Sequence, residues 1–131
     1  NDSIKPEVFF DKETRFDFLI EKNNQKIFVE VKNVTLFREE KIAEFPDAVT
    51  TRGSKHLKTL IIATEKGYKS YLLFLIQIEG IESFKIAKDI DKEYYKNYLL
   101  AKKAGVIFLA YRCKINSKEI KIEKKIKIIN D

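Results

Sequence analysis

Residues 26–32 read KIFVEVK, and this short stretch decides how the rest of the sequence is interpreted. Its apolar residues surround one carboxylate and one ammonium group, Glu30 and Lys32, two positions apart. Side chains at i and i+2 of a β-strand point to the same side, so we predict a strand that carries the two charges side by side. Such a pair is common on strands as a solvent-exposed ion pair, so its meaning depends on a third charged group nearby.

The third group comes from the preceding segment, RFDFLIE (15–21), which has the alternation typical of a strand. Its apolar face is expected to hold Phe16, Phe18 and Ile20. A polar turn, KNNQ, leads into residues 26–32, so we predict that the two strands pair as a hairpin or meander. In that arrangement Asp17 lies opposite the Glu30–Lys32 pair.

Two carboxylates and a lysine in this arrangement have a specific chemical use. The carboxylates can hold a divalent metal ion against a phosphate oxygen, where it activates a bound water molecule. The lysine can orient that water and stabilise the charge that develops on the phosphate. The sequence therefore predicts a site for phosphodiester hydrolysis, with Asp17, Glu30 and Lys32 as catalytic residues and the two acids as metal ligands.

Composition limits the kind of metal site. The chain has 131 residues, of which 44% are hydrophobic and 35% charged, so one globular domain over 1–131 is expected. One cysteine and one histidine exclude a disulfide framework and a His/Cys zinc site within these residues. A metal ion would be held by carboxylates, which favours Mg²⁺ or Mn²⁺.

Charge and hydropathy point to partners. The net charge of +6 and the pI near 9.3 allow a polyanion such as DNA, although a lysine-rich surface that maintains solubility has the same charge. The apolar runs are too short to span a bilayer, and no secretory signal precedes them. We therefore expect a cytoplasmic protein without a membrane partner.

Periodicity predicts five or six strands and two helices. The strands are expected at 7–10, 15–21, 26–32, 69–79 and 106–115, and the helices at 54–67 and 91–105. Asp91 suits a helix N-cap, and Gly105 suits the end of the same helix. Residues 33–53 are expected to form a long structured loop, and residues 118–129 a basic edge strand or hairpin.

The start of the first predicted helix is basic. Arg52, Lys55 and His56 lie there, and helix N-terminal amides together with cations suit a phosphate group. These three residues are candidates for phosphate or DNA contacts. For His56, a packing or capping role is an equal alternative, because a lone histidine on a helix is often structural.

Five segments of the sequence carry a family resemblance. They are EVFFDKETRFDF (7–18), EVKNVTL (30–36), FPDAVTTRGSKHL (45–57), DKEYYKNYLLAKKAGV (91–106) and LAY (109–111). Together they resemble the SfsA family, the sugar fermentation stimulation proteins, over nearly the whole chain. The resemblance implies an α/β fold with a restriction-endonuclease-like core of the PD-(D/E)xK type, in which helices flank a mixed β-sheet.

The resemblance also implies roles for individual residues. Asp17 and Glu30 match the metal ligands of that pattern, and Lys32 matches its catalytic lysine. Glu7 matches a further glutamate of the family and is a candidate for an additional metal ligand. Family members resemble a two-domain plan with an N-terminal OB-fold domain, which we expect to be absent from this chain. Gln77 is a further candidate, because it is expected in the middle of an apolar strand, and some nuclease-fold families place a glutamine near the site.

Three hypotheses follow from these observations. The first is a Mg²⁺- or Mn²⁺-dependent DNA nuclease. The second is a non-catalytic DNA-binding or transcription-regulatory module on a nuclease-like scaffold, linked to the regulation of sugar metabolism. The intact acid–acid–lysine set favours the enzyme, because carboxylates repel phosphate unless a metal ion lies between them. The third is a domain that chiefly forms homodimers, because nuclease-fold proteins often pair to cut two strands.

Overall fold

A computed structural model describes residues 2–130, apart from the side chain of residue 115. Within those residues the chain forms nine strands and two helices. In chain order they are β1 (Ser3–Phe9), β2 (Arg15–Lys22), β3 (Gln25–Val34), β4 (Leu36–Glu39), β5 (Ile42–Phe45), α1 (Thr51–Glu65), β6 (Lys69–Ile76), β7 (Ser83–Ile86), α2 (Lys92–Ala104), β8 (Ile107–Ile115) and β9 (Ile120–Ile128).

The strands form one mixed sheet in the order β1-β2-β3-β6-β8-β9-β7-β5-β4. The meander β1–β2–β3 is antiparallel, whereas β3, β6 and β8 run parallel to one another. Parallel neighbours need crossover connections, and these contain α1 between β3 and β6 and α2 between β6 and β8. A mixed α/β sheet with two helices is thus confirmed at this level of description.

Both helices begin and end where side chains can cap them. The side chain of Asp91 accepts a hydrogen bond from the backbone N–H of Tyr94 at 3.0 Å, and Gly105 closes α2 in the left-handed conformation with φ 111°. Helix α1 begins at Thr51, three residues earlier than expected, because Thr50 caps it through the backbone N–H of Gly53. Neither helix in residues 2–130 combines the length and apolarity needed to cross a bilayer.

The two helices pack on the same face of the sheet. Leu57 and Leu60 of α1 and Tyr94 and Tyr98 of α2 are fully buried in one core. The sheet also contributes alternate residues to this core: Phe28 and Val34 from β3, and Leu72, Phe74 and Ile76 from β6. Because alternation continues along β3, Glu30 and Lys32 also point toward the helices.

The opposite face of the sheet is apolar and carries neither helix. An open groove of about 450 Å³ runs across it. The residues that line the groove are Ile4, Phe18, Ile20, Ile27, Val29, Val31, Tyr71 and Leu73. The two faces of the central strands therefore differ sharply, with the charged pair on the helix side.

Three strands that the sequence analysis does not predict complete the sheet. Strands β4 and β5 lie within the region expected to be a loop, and β7 follows β6. Each has four residues, too few to show a reliable alternation. Strand β9 is internal in the strand order rather than an edge, although only its last residues pair with β7.

The predicted faces of β2 are partly wrong. Phe16 and Leu19 both lie in the core, whereas Phe18 and Ile20 line the apolar groove on the other side. Strict alternation would have kept Phe16 with Phe18. It fails because the regular pairing of β2 with β3 ends at Phe18, so the chain before that point follows a different course.

Candidate active site

The candidate site lies where β2 and β3 part. Their ladder of paired residues ends at Phe18–Val29. Beyond it, side chains replace the backbone as partners: the backbone N–H of Val31 donates to Asp17 Oδ2 at 2.7 Å, and the N–H of Asp17 donates to Glu30 Oε1 at 3.3 Å. The strands thus open by the width of two carboxyl groups, which face each other in the gap.

Lys32 and His56 lie on the other side of Glu30. Lys32 Nζ is 3.4 Å from Glu30 Oε2, and His56 Nδ1 contacts the same oxygen. Lys32 Nζ and His56 Nδ1 are themselves 3.1 Å apart. A single ring nitrogen cannot serve both neighbours: either Nδ1 carries a proton and donates to Glu30, or the proton sits on Nε2 and Nδ1 accepts from Lys32. The hydrogen bonds within this cluster therefore depend on the tautomer of His56.

The groups of this cluster are largely buried, so their interactions are little screened by water. The Glu30 residue is 3% exposed, His56 is 6% exposed, and the Lys32 side chain is 16% exposed. An ionised carboxylate at such a depth must be paired to avoid a large desolvation cost. Glu30 meets this condition with one ammonium group and one imidazole.

The two carboxyl groups have opposite pKa shifts. Burial alone would raise the pKa of Glu30, but hydrogen bonding from His56 and Asp17 and the charge of Lys32 lower it to about 2. Burial, together with the neighbouring Glu30 carboxylate, raises the pKa of Asp17 above its ordinary value. The pair is thus an ionised acid beside one that holds its proton more tightly, as expected when two carboxyl groups share a site.

A groove of about 590 Å³ opens beside this cluster. It lies between the β1–β2 turn and the start of α1, and its lining residues are Phe9, Glu13, Arg15, Thr51, Arg52, Lys55 and His56. The three predicted phosphate contacts, Arg52, Lys55 and His56, are all in this lining. Arg52 and Lys55 are exposed, whereas His56 is buried with its Nδ1 against Glu30.

Two further groove residues were not singled out from the sequence. Arg15 and Phe9 are cross-strand partners in the β1–β2 ladder, and the Arg15 guanidinium carbon lies 5.8 Å from the centre of the Phe9 ring. The alternation of apolar and charged residues at 7–18 is a sequence signal for a hairpin, but it does not reveal that the hairpin faces α1.

Glu7 and Gln77 stand in different relations to the cluster. Glu7 lies across from Asp17 in the β1–β2 ladder, because the residues on either side of Glu7 pair with those on either side of Asp17. Glu7 is exposed on β1, at an irregular position with φ 51°, and its role as a metal ligand stays a prediction. Gln77 is not in the middle of a strand, because β6 ends at Ile76. Its exposed side chain donates to Asn33 Oδ1 at 3.2 Å, and alternation puts Asn33 on the face opposite Glu30 and Lys32.

The donor set fits a hard divalent cation with few protein ligands. Within residues 2–130, no three His, Cys, Asp or Glu side chains are grouped so that they could hold a metal ion together. Mg²⁺ is commonly bound by one or two carboxylates, with water and substrate phosphate completing its shell. Asp17 and Glu30 supply two carboxylates, and the raised pKa of Asp17 marks a place where a cation would relieve like-charge repulsion.

A family comparison supplies the identification. A sequence model described as "Sugar fermentation stimulation protein RE domain" matches residues 1–119. The chain belongs to the SfsA family. The family resemblance stated from the sequence segments is thereby confirmed.

Relatives within the SfsA family match almost all of this chain. A sugar fermentation stimulation protein homolog of Pelagibacter ubique (strain HTCC1062) is 88% identical over 130 residues, which are 99% of this chain and 56% of the relative. A homolog of the same name in Pseudoalteromonas atlantica is 44% identical, over 98% of this chain and 55% of the relative. The chain thus spans about half the length of the curated relatives it matches.

A solved structure has the same fold. The SfsA protein of Pyrococcus furiosus, solved in complex with Ca²⁺, matches with a TM-score of 0.85 and 31% sequence identity. The match covers 95% of this chain and 53% of that protein. The fold that this chain shares with that SfsA protein therefore extends over almost the whole chain.

Proposed function

We propose that this SfsA domain is a metal-dependent DNA nuclease with a restriction-endonuclease-like core of the PD-(D/E)xK type. Asp17 and Glu30 are the ligands of Mg²⁺ or Mn²⁺, and Lys32 is the catalytic lysine. The reaction is hydrolysis: water adds to phosphorus, and the bond from phosphorus to one bridging oxygen breaks.

The parting of β2 and β3 is the observation that carries this proposal. A surface ion pair on a strand needs no gap in the backbone ladder. Here the ladder stops, and two carboxyl groups occupy the gap with a lysine 3.4 Å from one of them. Keeping Asp17 buried beside Glu30 costs stability, as the raised pKa of Asp17 indicates, and such a cost is typical of functional sites.

Each residue has a task in this proposal. When bound, the metal ion supplies polarisation of the phosphate and a more acidic water molecule. Lys32 donates hydrogen bonds from a fixed position, since Glu30 and His56 hold its ammonium group, and so orients the water and stabilises the phosphate charge. His56 positions both neighbours. The Ca²⁺ complex of the Pyrococcus furiosus relative supports a site for a hard, oxygen-seeking cation.

A cleavage assay with matched variants tests the proposal. Labelled single-stranded, duplex and branched DNAs are incubated with the parent, Asp17→Asn, Lys32→Ala and Lys26→Ala in Mg²⁺, Mn²⁺ or EDTA. Lys26 is an exposed lysine on the same strand as Lys32 and serves as the control. Cleavage should need metal, vanish in the first two variants and persist in the third. A preparation whose cleavage survives Asp17→Asn contains a different nuclease, and this result would overturn the assignment.

The non-catalytic alternative has one observation in its favour. Glu30 is already neutralised by Lys32 and His56 without a metal ion, and such a cluster is stable as a structural element. A transcription-regulatory module that binds DNA through the basic groove would then show equal DNA binding in the parent and in Asp17→Asn, and no cleavage in either. Mn²⁺ would also leave its thermal midpoint unchanged, whereas binding at the proposed site raises it.

Homodimer formation is a separate proposal with its own readout. Sedimentation of the chain with and without DNA gives its mass directly. A monomer in both states would remove the pairing hypothesis without affecting the site.

A further inference from the structure

The four arginines of this chain differ in whether a carboxylate of the protein pairs with them. This difference indicates where an anion could bind. Arg38 forms hydrogen bonds to both carboxylate oxygens of Glu44 and to both of Asp89, at 2.6–2.9 Å. Arg112 bonds the Ile81 carbonyl and lies 3.5 Å from Glu123. Both guanidinium groups thus have a carboxylate partner within the protein.

Arg15 and Arg52 differ from these. Within the described residues 2–130, neither has a carboxylate partner, although the chain contains 20 acidic residues. Both are exposed, and both line the 590 Å³ groove beside the acidic cluster. An unpaired guanidinium offers five donors in a flat fork, which suits the oxygens of a phosphate.

The remaining charges of the groove do not oppose an anion. Among the described residues that line it, the single carboxylate is Glu13, and Lys55 Nζ neutralises this group at 2.9 Å. His56 forms the inner wall and links the groove to Lys32 and Glu30. A phosphate chain lying in the groove therefore leads straight to the candidate site.

Phe9 adds a feature that phosphate binding does not need. Its side chain is 66% exposed at the rim of the groove, and the Arg15 guanidinium lies over its ring. A large exposed aromatic ring beside cations is the combination by which proteins hold unpaired nucleotides, because every base has a flat face to stack. In duplex DNA the bases already stack on one another and cannot use such a ring.

We propose that this groove binds an unpaired stretch of DNA, with Arg15 and Arg52 on successive phosphates and a base stacked on Phe9. The inference rests on the proposed nuclease function for its purpose, but its binding geometry stands on the groove alone. It names the preferred substrate of the site: single strands, flaps or frayed ends, rather than uninterrupted duplex.

The absence of tryptophan from the sequence allows a direct test. Phe9→Trp introduces one fluorophore at the proposed stacking position, and Phe37→Trp introduces one at a matched control position. Phe37 is 58% exposed and lies on β4, at the opposite edge of the sheet from β1. Both proteins are titrated in EDTA, without turnover, with a dT oligonucleotide and with a blunt duplex of two fully complementary strands.

Stacking predicts quenching of Phe9→Trp by the single strand and no quenching of Phe37→Trp. We expect the parent to bind the single strand about tenfold more tightly than the duplex, and Phe9→Ala to lose that preference. Equal affinity of the parent for both DNAs, or no quenching of Phe9→Trp at saturation, would overturn the proposal. Thermal midpoints close to that of the parent verify that the variants fold.

Salt dependence tests the two arginines separately. Arg15→Gln and Arg52→Gln should each weaken binding and lower the slope of log K against log salt by about one unit. Lys121→Gln, at an exposed lysine of β9, is the control and should keep the parental slope. A lower slope for Lys121→Gln alone would place the DNA along β9 and overturn the groove assignment.

The outcomes separate this inference from the proposed function. Quenching and single-strand preference in EDTA, without cleavage in any metal, would support the groove and remove the nuclease. Cleavage that depends on Asp17, together with no quenching of Phe9→Trp, would support the nuclease and remove the groove assignment.

Discussion

Among residues 2–130, two glutamates are buried, and their charges are balanced in different ways. Glu44 is 1% exposed, and a single guanidinium, that of Arg38, binds both of its oxygens at 2.6 and 2.9 Å. Glu30 is 3% exposed, but its neighbours are one ammonium nitrogen, one ring nitrogen and the N–H and carboxyl group of Asp17.

The comparison indicates that the charge of Glu44 has a structural role, whereas the charge of Glu30 is available to bind a ligand. The pair of Arg38 and Glu44 leaves no group free for a ligand. Both carboxylate oxygens of Glu44 accept from Arg38, and the same guanidinium also donates to Asp89. It ties the β4–β5 hairpin to the segment before α2. The Glu30 cluster is open, because Asp17 adds a second acid that shares protons with the first. Four substitutions can break or sharpen this contrast.

The largest effect is expected from Asp17→Asn. Loss of a metal ligand should reduce cleavage on the order of 10³-fold, equivalent to about 4 kcal/mol of transition-state stabilisation. Stability without metal should stay level or rise, because an amide removes both the cost of burying the Asp17 charge and its repulsion by Glu30. Cleavage rates and thermal midpoints are measured on the same preparation. A large fall in the midpoint without metal would mean that the acid pair is structural, like Glu44.

Arg38→Ala should have the opposite effects to Asp17→Asn: lower stability and unchanged cleavage. It leaves the buried Glu44 carboxylate without its partner, so we expect a lower free energy of unfolding than that of the parent, with the loss moderated by the 40% exposure of the Arg38 side chain. Cleavage below the melting range should be unchanged. Urea unfolding gives the loss, and the double variant Arg38→Ala/Glu44→Gln should recover part of it. A double variant no more stable than the single one would contradict the pairing argument.

Substitutions of His56 test the contacts that its ring makes with Glu30 and Lys32. His56→Phe removes both polar contacts of the ring, and we expect about tenfold slower cleavage and about 1–2 kcal/mol lower stability. His56→Asn can place an amide group close to the position of Nδ1 and should restore part of both properties. Single-turnover kinetics and urea unfolding are the measurements. Equal behaviour of the two variants would show that ring volume matters and the polar contacts do not.

The smallest effect concerns Asp89 and pH. The hydrogen bonds and charge of Arg38 lower the pKa of Asp89 from 3.8 to about 2. Because the unfolded carboxylate takes up its proton first, the contribution of Asp89 to stability is present above pH 3.8 and is lost as the pH falls through about 2. Asp89→Asn should therefore lower the thermal midpoint slightly at pH 7 and not at pH 2. Since Asp89 is exposed, added salt should shrink the difference.

The sequence predicts local chemistry better than it predicts where strands meet. The caps Asp91 and Gly105 follow from short-range geometry, and the structure confirms both. The placement of Asp17 beside Glu30 follows from one hairpin, whose register a short turn fixes. The end of the ladder at Phe18 could not be predicted, because it depends on what packs against Phe16.

The basic groove shows the limit of sequence reasoning. Arg52, Lys55 and His56 are close in sequence and could be recognised together. Phe9 and Arg15 join them only through the packing of the β1–β2 hairpin against α1, a contact between segments about 40 residues apart. Strands β4, β5 and β7 were missed for a similar reason, since four-residue strands are defined by their neighbours in the sheet.

The pairing between β7 and β9 is short, and this affects how easily that part of the sheet can open locally. Strands β7 and β9 are joined by two residue pairs, Ser83–Lys127 and Phe84–Ile128, whereas β3 and β6 are joined by eight. Backbone amides of β4, β5 and β7 should exchange with deuterium through local opening, at a lower free-energy cost than those of the central strands. We expect such local opening to leave the carboxylate pair between β2 and β3 in place, because β2 and β3 lie at the other end of the strand order.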